Sequence, residues 1–363
     1  MKSEVIKTVR EAEVSTLRLP THSEHCITVR PVRDTNSVIQ SFAQKQNAAI
    51  LSQSVFAENQ LYSQFVSKGG NTEWPLVWLE GDSCADGRIY SVQAAALSGI
   101  IPVPIRSGIR NIGYVYEDDC ARYCRLTGLS PADLTAPRSA QARSVFETTA
   151  AILAQNGFSF ADTVRTWLYL DHLLQWYDEF NAVRTQFFHE TGIFDRMIPA
   201  STGIGAGNPF GSAITMEVLA VQPKSAQFKV HTVDSPLQNP ALNYSSSFSR
   251  AVELGSPTHR KLLISGTASI ASNGKTVYPD DPEKQIRFTL DVVRAILESR
   301  AMSWKDLFRG IAYFKDMACL PIYRRVASEL KIPHFPLAVT HADVCRRELF
   351  FEIEVDAVQI CLA

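Results

Sequence analysis

The stretch at 141–172, QARSVFETTAAILAQNGFSFADTVRTWLYLDH, recurs at 285–316 as QIRFTLDVVRAILESRAMSWKDLFRGIAYFKD, at one constant offset and without a gap. Nine pairs are identical: Gln141/Gln285, Arg143/Arg287, Ala151/Ala295, Ile152/Ile296, Leu153/Leu297, Ser159/Ser303, Asp162/Asp306, Arg165/Arg309 and Tyr169/Tyr313. Chance gives about two, so the stretch is an internal repeat, and a repeat is one supersecondary unit used more than once. Within it, Gln141 to about Asn156 reads as an amphipathic helix with Val145, Ala150, Ile152 and Leu153 on its apolar side. Residues 159–162 and 303–306 (Ser-x-x-Asp) read as turns, and 163–170 and 307–314 as strands.

The two copies continue alike. A second helix is predicted at 174–188 and again at 320–330, where Pro321 suits a first helical position. Pro-marked connections follow at 197–205 and 332–340, then strands at 213–221 and 350–358. A strand also precedes each first helix, at 122–129 and 261–269. Strand, helix, strand, helix, strand predicts an α+β unit: a mixed sheet with two helices packed on one face. Unit one is predicted over 109–224 and unit two over 225–363, joined by a linker at 223–246 that is rich in Pro, Ser and Asn. Residues 1–108 match less clearly. They offer strands at 73–81 and 88–96 and a helix at 40–51, and read as a degenerate third unit or as a cap.

The last predicted strand carries the residues of most chemical interest. Leu349, Phe351, Ile353 and Val355 alternate with Phe350, Glu352 and Glu354, so the two carboxylates share the face opposite the apolar one. On a sheet with one wet face both are solvated. In a pocket, one of them would have a raised pKa and could carry a proton. Glu354 aligns with Glu217 and Glu352 with Thr215, so unit two has a carboxylate where unit one has none.

Composition narrows the function. Among 363 residues, 36 basic and 37 acidic side chains leave a net charge of −1, with no field to draw nucleic acid or an anionic membrane. No apolar run reaches the length of a membrane span, and the first ten residues alternate charge without the apolar core of a secretory signal. A cytoplasmic protein is expected. Seven scattered cysteines (26, 84, 120, 124, 319, 345 and 361) and eight histidines show no metal-ligand spacing, so no metal is expected. The run GIGAG at 203–207 precedes a strand rather than a helix, which excludes a nucleotide loop.

Units with Gln at the first helix, a Ser-x-x-Asp turn, a strand ending in Tyr and a closing Glu-Ile-Glu strand resemble the RidA/YjgF family. Two of them in one chain, with PASTGIG (199–205), AYFKD (312–316), and ADVCR followed by LFFEIE (342–354), resemble the chorismatases more specifically. PLVWLEGD (75–82) adds to that likeness. The resemblance covers residues 110 to 360 and implies a pseudo-trimeric single chain, a monomer with internal pseudo-symmetry. It would act on the small molecule chorismate without metal or organic cofactor, in a site between units. It implies Glu352 as the acid/base residue and Cys345, seven residues before it, as the residue that selects the product. A thiol there implies 3-hydroxybenzoate, in some members with 4-hydroxybenzoate as well; a small inert residue implies hydrolysis to a dihydroxycyclohexadiene carboxylate. Chorismate has two carboxylates, and the substrate-binding candidates are Tyr123, Arg125, Arg165, Ser201, Thr202, Tyr313, Lys315 and Arg346. A RidA-like imine deaminase is disfavoured because PAST replaces the family's Pro-Ala-Arg at 199–202. A non-catalytic RidA-like binding protein is the third reading.

Overall fold

The computed structural model describes residues 4–9, 12–29, 35–67, 73–81, 91–244 and 246–361. Cys84, Asp82, residues 88–90 of one expected strand, and residues 1–3 and 10 of the N-terminus lie outside them. The described chain forms three six-stranded mixed sheets. The first holds β1 (Glu4–Val9), β2 (Ala12–Arg18), β3 (Ser23–Val29), β4 (Ala48–Ala57), β5 (Leu76–Glu80) and β6 (Ser91–Ser98). The second holds β7 (Val103–Ser107), β8 (Arg110–Glu117), β9 (Ala121–Leu129), β10 (Thr163–Leu170), β11 (Ala200–Gly205) and β12 (Ile214–Pro223). The third holds β13 (Lys229–Val233), β14 (Ala251–Gly255), β15 (His259–Ala268), β16 (Leu307–Phe314), β17 (Leu337–His341) and β18 (Phe351–Ile360). Strand orders are β1-β2-β3-β6-β4-β5, β7-β8-β9-β12-β10-β11 and β13-β14-β15-β18-β16-β17, so all three share one topology.

The N-terminal third is therefore a third unit, degenerate in sequence but not in topology. Its helix α1 (Thr35–Gln46) stops before the expected end at 51. Asn47 takes a left-handed turn, φ 46°, and the chain enters β4 at Ala48. A short α2 (Tyr62–Phe65) replaces a full second helix. In the other units α3 (Arg138–Gln155) and α4 (Tyr177–Glu190), then α6 (Pro282–Ser299) and α7 (Leu320–Glu329), cover one face, with a short α5 (Ile193–Arg196) after α4. Both Ser-x-x-Asp turns close as reciprocal capping boxes, Ser159 with Asp162 and Ser303 with Asp306. No helix among the described residues is long and apolar enough to cross a membrane.

Three expectations are corrected. The Pro-marked connections are not loops throughout: β11 and β17 lie in them and pair parallel to β10 and β16 at the sheet edge. Proline is tolerated there because an edge strand offers one side of its backbone to no ladder. The linker at 223–246 contains β13, the outer strand of the third sheet. The second sheet begins at Val103, ahead of the boundary at 109.

Each sheet packs one face on its helices. Phe351, Ile353, Val355 and Ala357 join the core beneath α6 and α7. The opposite faces of all three sheets meet, which no single unit could reveal. Phe56, Tyr169 and Tyr313 occupy matching register positions, opposite Ser91, Thr215 and Glu352, and all three join one apolar cluster at the centre. The face that would be wet on an isolated sheet is thus the trimer-like interior, and both Glu352 and Glu354 are buried rather than solvated.

Candidate active site

The strand β18 alternates, so its second face sends Glu352, Glu354 and Asp356 toward the neighbouring sheets. Their fates differ. Glu354, fully buried, accepts from Arg165 at 2.9 Å, Arg309 at 2.6 Å and Trp167 Nε1 at 2.8 Å, and also from Thr202. These cations hold its carboxyl below the usual range against the opposing effect of burial. Among the described residues Glu352 has no such clamp. Burial pushes its pKa up to about 8, reinforced by the negative charge of Glu354 and opposed by Arg165 and Arg250. At neutral pH it is mostly a neutral carboxylic acid.

Glu352 opens into a cleft of about 170 Å³ between the second and third sheets. Strand β15 makes room for it. The β15–β18 register slips between Ile264 and Thr267, and a Cβ on Gly266 would come within 2.0 Å of Glu352 Oε1. The loop carrying Cys345 is pinned across the interface: Gly205 N donates to Asp343 O at 2.8 Å and Asp343 N to Gly205 O at 3.1 Å. Cys345 lines the cleft with Glu352, and burial, with the Glu352 charge, pushes its thiol up to about 12. It therefore stays protonated. Arg346 also lines the cleft and donates to Thr276 Oγ1 at 3.2 Å, while Thr276 donates to Glu348 at 2.8 Å.

Two further guanidinium groups face this space, and the sequence reading missed both. Arg184, on α4, is 1% exposed and donates to Asn181 at 2.6 Å. Its spacing held a signal: Phe180, Arg184 and Phe188 lie four residues apart, so the arginine sits on the buried stripe of the helix. Arg250 precedes β14 and donates twice to Asn239 O, at 3.0 and 2.8 Å. It follows a Ser-rich segment whose local pattern says nothing of its burial. Tyr177, Asp178, Ser201, Gly203, Ser246 and Phe248 are among the other wall residues.

The expected binding residues separate into groups. Ser201 and Arg346 share the Glu352 cleft. Arg165 and Thr202 are committed to Glu354 behind it. Tyr313 is wholly buried at the centre of the three sheets. Lys315 Nζ donates to Arg347 O, away from the cleft. Tyr123 and Arg125 line a different cavity, walled by all three sheets.

The threefold arrangement makes two more clefts of the same kind. Register places Leu337 and Val339, and also Leu76 and Trp78, where the Glu352 cleft has Ser201 and Gly203. Ser91 or Thr215 replaces Glu352. The cleft with Thr215 is nearly filled, by Tyr62, Leu76 and Trp78, leaving about 20 Å³. The cleft with Ser91 is open, about 740 Å³, but its walls include Leu320, Phe335, Leu337 and Val339. Among the three, the cleft at Glu352 alone joins a buried carboxyl to buried arginines.

No family model matches the chain. A chorismatase from Streptomyces hygroscopicus is 28% identical over 213 residues, 52% of this chain and 60% of that protein. A 3-hydroxybenzoate synthase from the same organism is 24% identical over 224 residues, 54% of this chain and 64% of that protein. The matched part thus spans less than two thirds of these relatives. A chorismatase crystal structure superposes with a TM-score of 0.66, covering 94% of this chain and 100% of that one at 19% identity. The fold, three six-stranded units of one topology in one chain, is shared with that structure.

Proposed function

We propose that this chain, which resembles the chorismatases over about half of its sequence and in fold, converts chorismate to 3-hydroxybenzoate and pyruvate, with Glu352 as acid and base and Cys345 directing the product. The observation that carries the reading is Glu352 itself: a buried carboxyl, its pKa pushed up to about 8 by desolvation, in a cleft with buried guanidinium groups. A dicarboxylate needs cations that are already desolvated and oriented, and Arg184 and Arg250 supply them, with the half-buried Arg346 on the same cleft.

The chemistry follows from that raised pKa. Glu352 gives its proton to the methylene carbon of the enolpyruvyl ether, which turns the ether carbon electrophilic and the ether oxygen into a leaving group. The neighbouring ring hydroxyl attacks the ring carbon bearing the ether. The ring carbon–oxygen bond breaks, pyruvate departs, and the proton lost by the hydroxyl returns to the Glu352 carboxylate. The resulting arene oxide opens and aromatises to the hydroxybenzoate. Atoms balance without water. Cys345 keeps its proton and donates a hydrogen bond beside the ring, steering the opening. Water attacking the protonated enol ether instead would give the dihydroxycyclohexadiene acid.

The deciding experiment incubates the purified protein with chorismate, following pyruvate by a coupled assay and aromatic acids by chromatography. Pyruvate is expected to equal the sum of the hydroxybenzoates, 3-hydroxybenzoate with any 4-hydroxybenzoate that accompanies it. Absence of pyruvate sinks the reading. Pyruvate without a hydroxybenzoate moves the chain to the hydrolytic outcome.

A further inference from the structure

We propose that Phe248 is a positioning residue of the Glu352 cleft, whose ring holds the Arg184 and Arg250 guanidinium groups where the two carboxylates of the substrate are received. The inference rests on the reading of that cleft as a chorismate site and names the group that organises its cations. Cζ of Arg250 lies over the Phe248 ring at 5.4 Å from its centroid, and Cζ of Arg184 lies over the same ring at 5.9 Å. One ring thus touches a cation from each of two units, Arg184 on α4 of the second and Arg250 just ahead of β14 in the third. All three side chains line the cleft with Glu352.

The backbone puts the ring there. Residues 246–250 belong to the third unit but are stitched to the second. Ser247 Oγ hydrogen-bonds to Thr185 Oγ1 at 2.7 Å, next in sequence to Arg184. Ser249 N donates to Pro199 O at 2.9 Å, its Oγ donates to Ile198 O at 2.6 Å, and the residue bridges to Ala200 at the start of β11. Phe248, half-buried, is the residue between these two anchored serines.

The two arginines need what a ring supplies. Each is held along one edge by an amide oxygen, Arg184 by Asn181 Oδ1 and Arg250 by the Asn239 carbonyl. Such an edge contact does not fix the tilt of the guanidinium plane. Two cations that share one buried space also repel each other more strongly than they would in water. A ring face attracts both and restrains their planes, and it accepts no hydrogen bond from an N–H edge. The contact therefore spends none of the donors that a carboxylate needs. A carboxylate in the same place would neutralise the cations instead, as Glu354 and Asp356 do for Arg165 and Arg309 behind the cleft.

Steady-state kinetics of pyruvate release from chorismate tests the assignment. Phe248→Leu should raise KM by about tenfold, the loss of two cation–ring contacts, with kcat within about twofold of wild type. Phe248→Tyr, which keeps the ring, should hold KM within about threefold of wild type. In protein already carrying Arg184→Met one of the two contacts is gone, so adding Phe248→Leu should raise KM only about threefold further. Phe248→Met, equally ringless, stands in if the leucine variant fails to fold. An unchanged KM in folded Phe248→Leu, a fall in kcat instead, a full tenfold effect in the Arg184→Met background, or no recovery in Phe248→Tyr overturns the inference and leaves the reaction standing. If the wild-type protein releases no pyruvate, the reaction reading fails by itself. Calorimetric titration with isophthalate, a ring dicarboxylate, then decides the positioning role. Phe248→Leu should weaken that binding by about tenfold. Equal affinity in the two proteins, or binding to neither, overturns it.

Discussion

Arg165 on the second sheet donates to Glu354 on the third at 2.9 Å, and both side chains are wholly shut off from solvent. The pair joins two units and sits directly behind Glu352. Arg165, expected as a substrate ligand, is occupied here. Glu354→Gln would leave Arg165 and Arg309 buried around a neutral amide, a loss of roughly 3–5 kcal/mol. It would also remove the charge that helps raise the Glu352 pKa. Chemical denaturation should show the destabilisation, and the alkaline limb of the pH–rate profile should move to lower pH.

Glu352→Gln should lower turnover about a hundredfold or more, the usual contribution of a proton-transferring group. Wild-type kcat/KM should fall as pH rises through about 8, where the acid ionises. Stability follows the same proton. The folded state holds it up to about pH 8 and the unfolded chain only to the ordinary carboxylate range, so wild-type stability declines between those limits. The Gln variant should therefore be more stable than wild type above pH 8, by on the order of a few kcal/mol, and about equal below pH 4. Thermal melts across that range are the check.

Cys345→Ala should leave pyruvate release within about tenfold of wild type, since the thiol is not the proton donor. The product should shift toward the dihydroxycyclohexadiene acid. An unchanged product ratio by chromatography would remove the thiol from the mechanism.

Arg184→Met and Arg250→Met should each raise KM for chorismate by about tenfold to a hundredfold, the cost of one charge-assisted contact. Lys315→Met should change neither KM nor kcat, because its amine is turned to the Arg347 carbonyl outside the cleft. Steady-state kinetics on the three variants separates these outcomes.

Gly266→Ala tests the cradle around the acid. The new methyl group would collide with Glu352 Oε1, so the carboxyl has to move by about 1 Å or more. Turnover should change while the melting temperature stays close to wild type, because the colliding atom ends a flexible side chain.

Much of the molecule was legible in order. The repeat between 141–172 and 285–316 announced two units, and the Ser159/Asp162 and Ser303/Asp306 turns fold as read. The first unit stayed obscure because its second helix is reduced to Tyr62–Phe65 and its repeat identities have drifted, while its strand order has not. Arg184 could have been found from its place on an apolar helical stripe. Arg250 could not, since its burial is created by another sheet.

Periodicity and repeat fixed, from sequence alone, which residues share a face: Glu352 and Glu354 against Phe351 and Ile353. What that face meets was decided only by packing three sheets together. Local pattern encodes a strand's own two sides, whereas desolvation and charge pairing depend on neighbours far away in the chain. Two carboxylates alike in sequence thereby part: Glu354 is clamped by Arg165 and Arg309 as an anion, and Glu352, with no such clamp, is left as an acid.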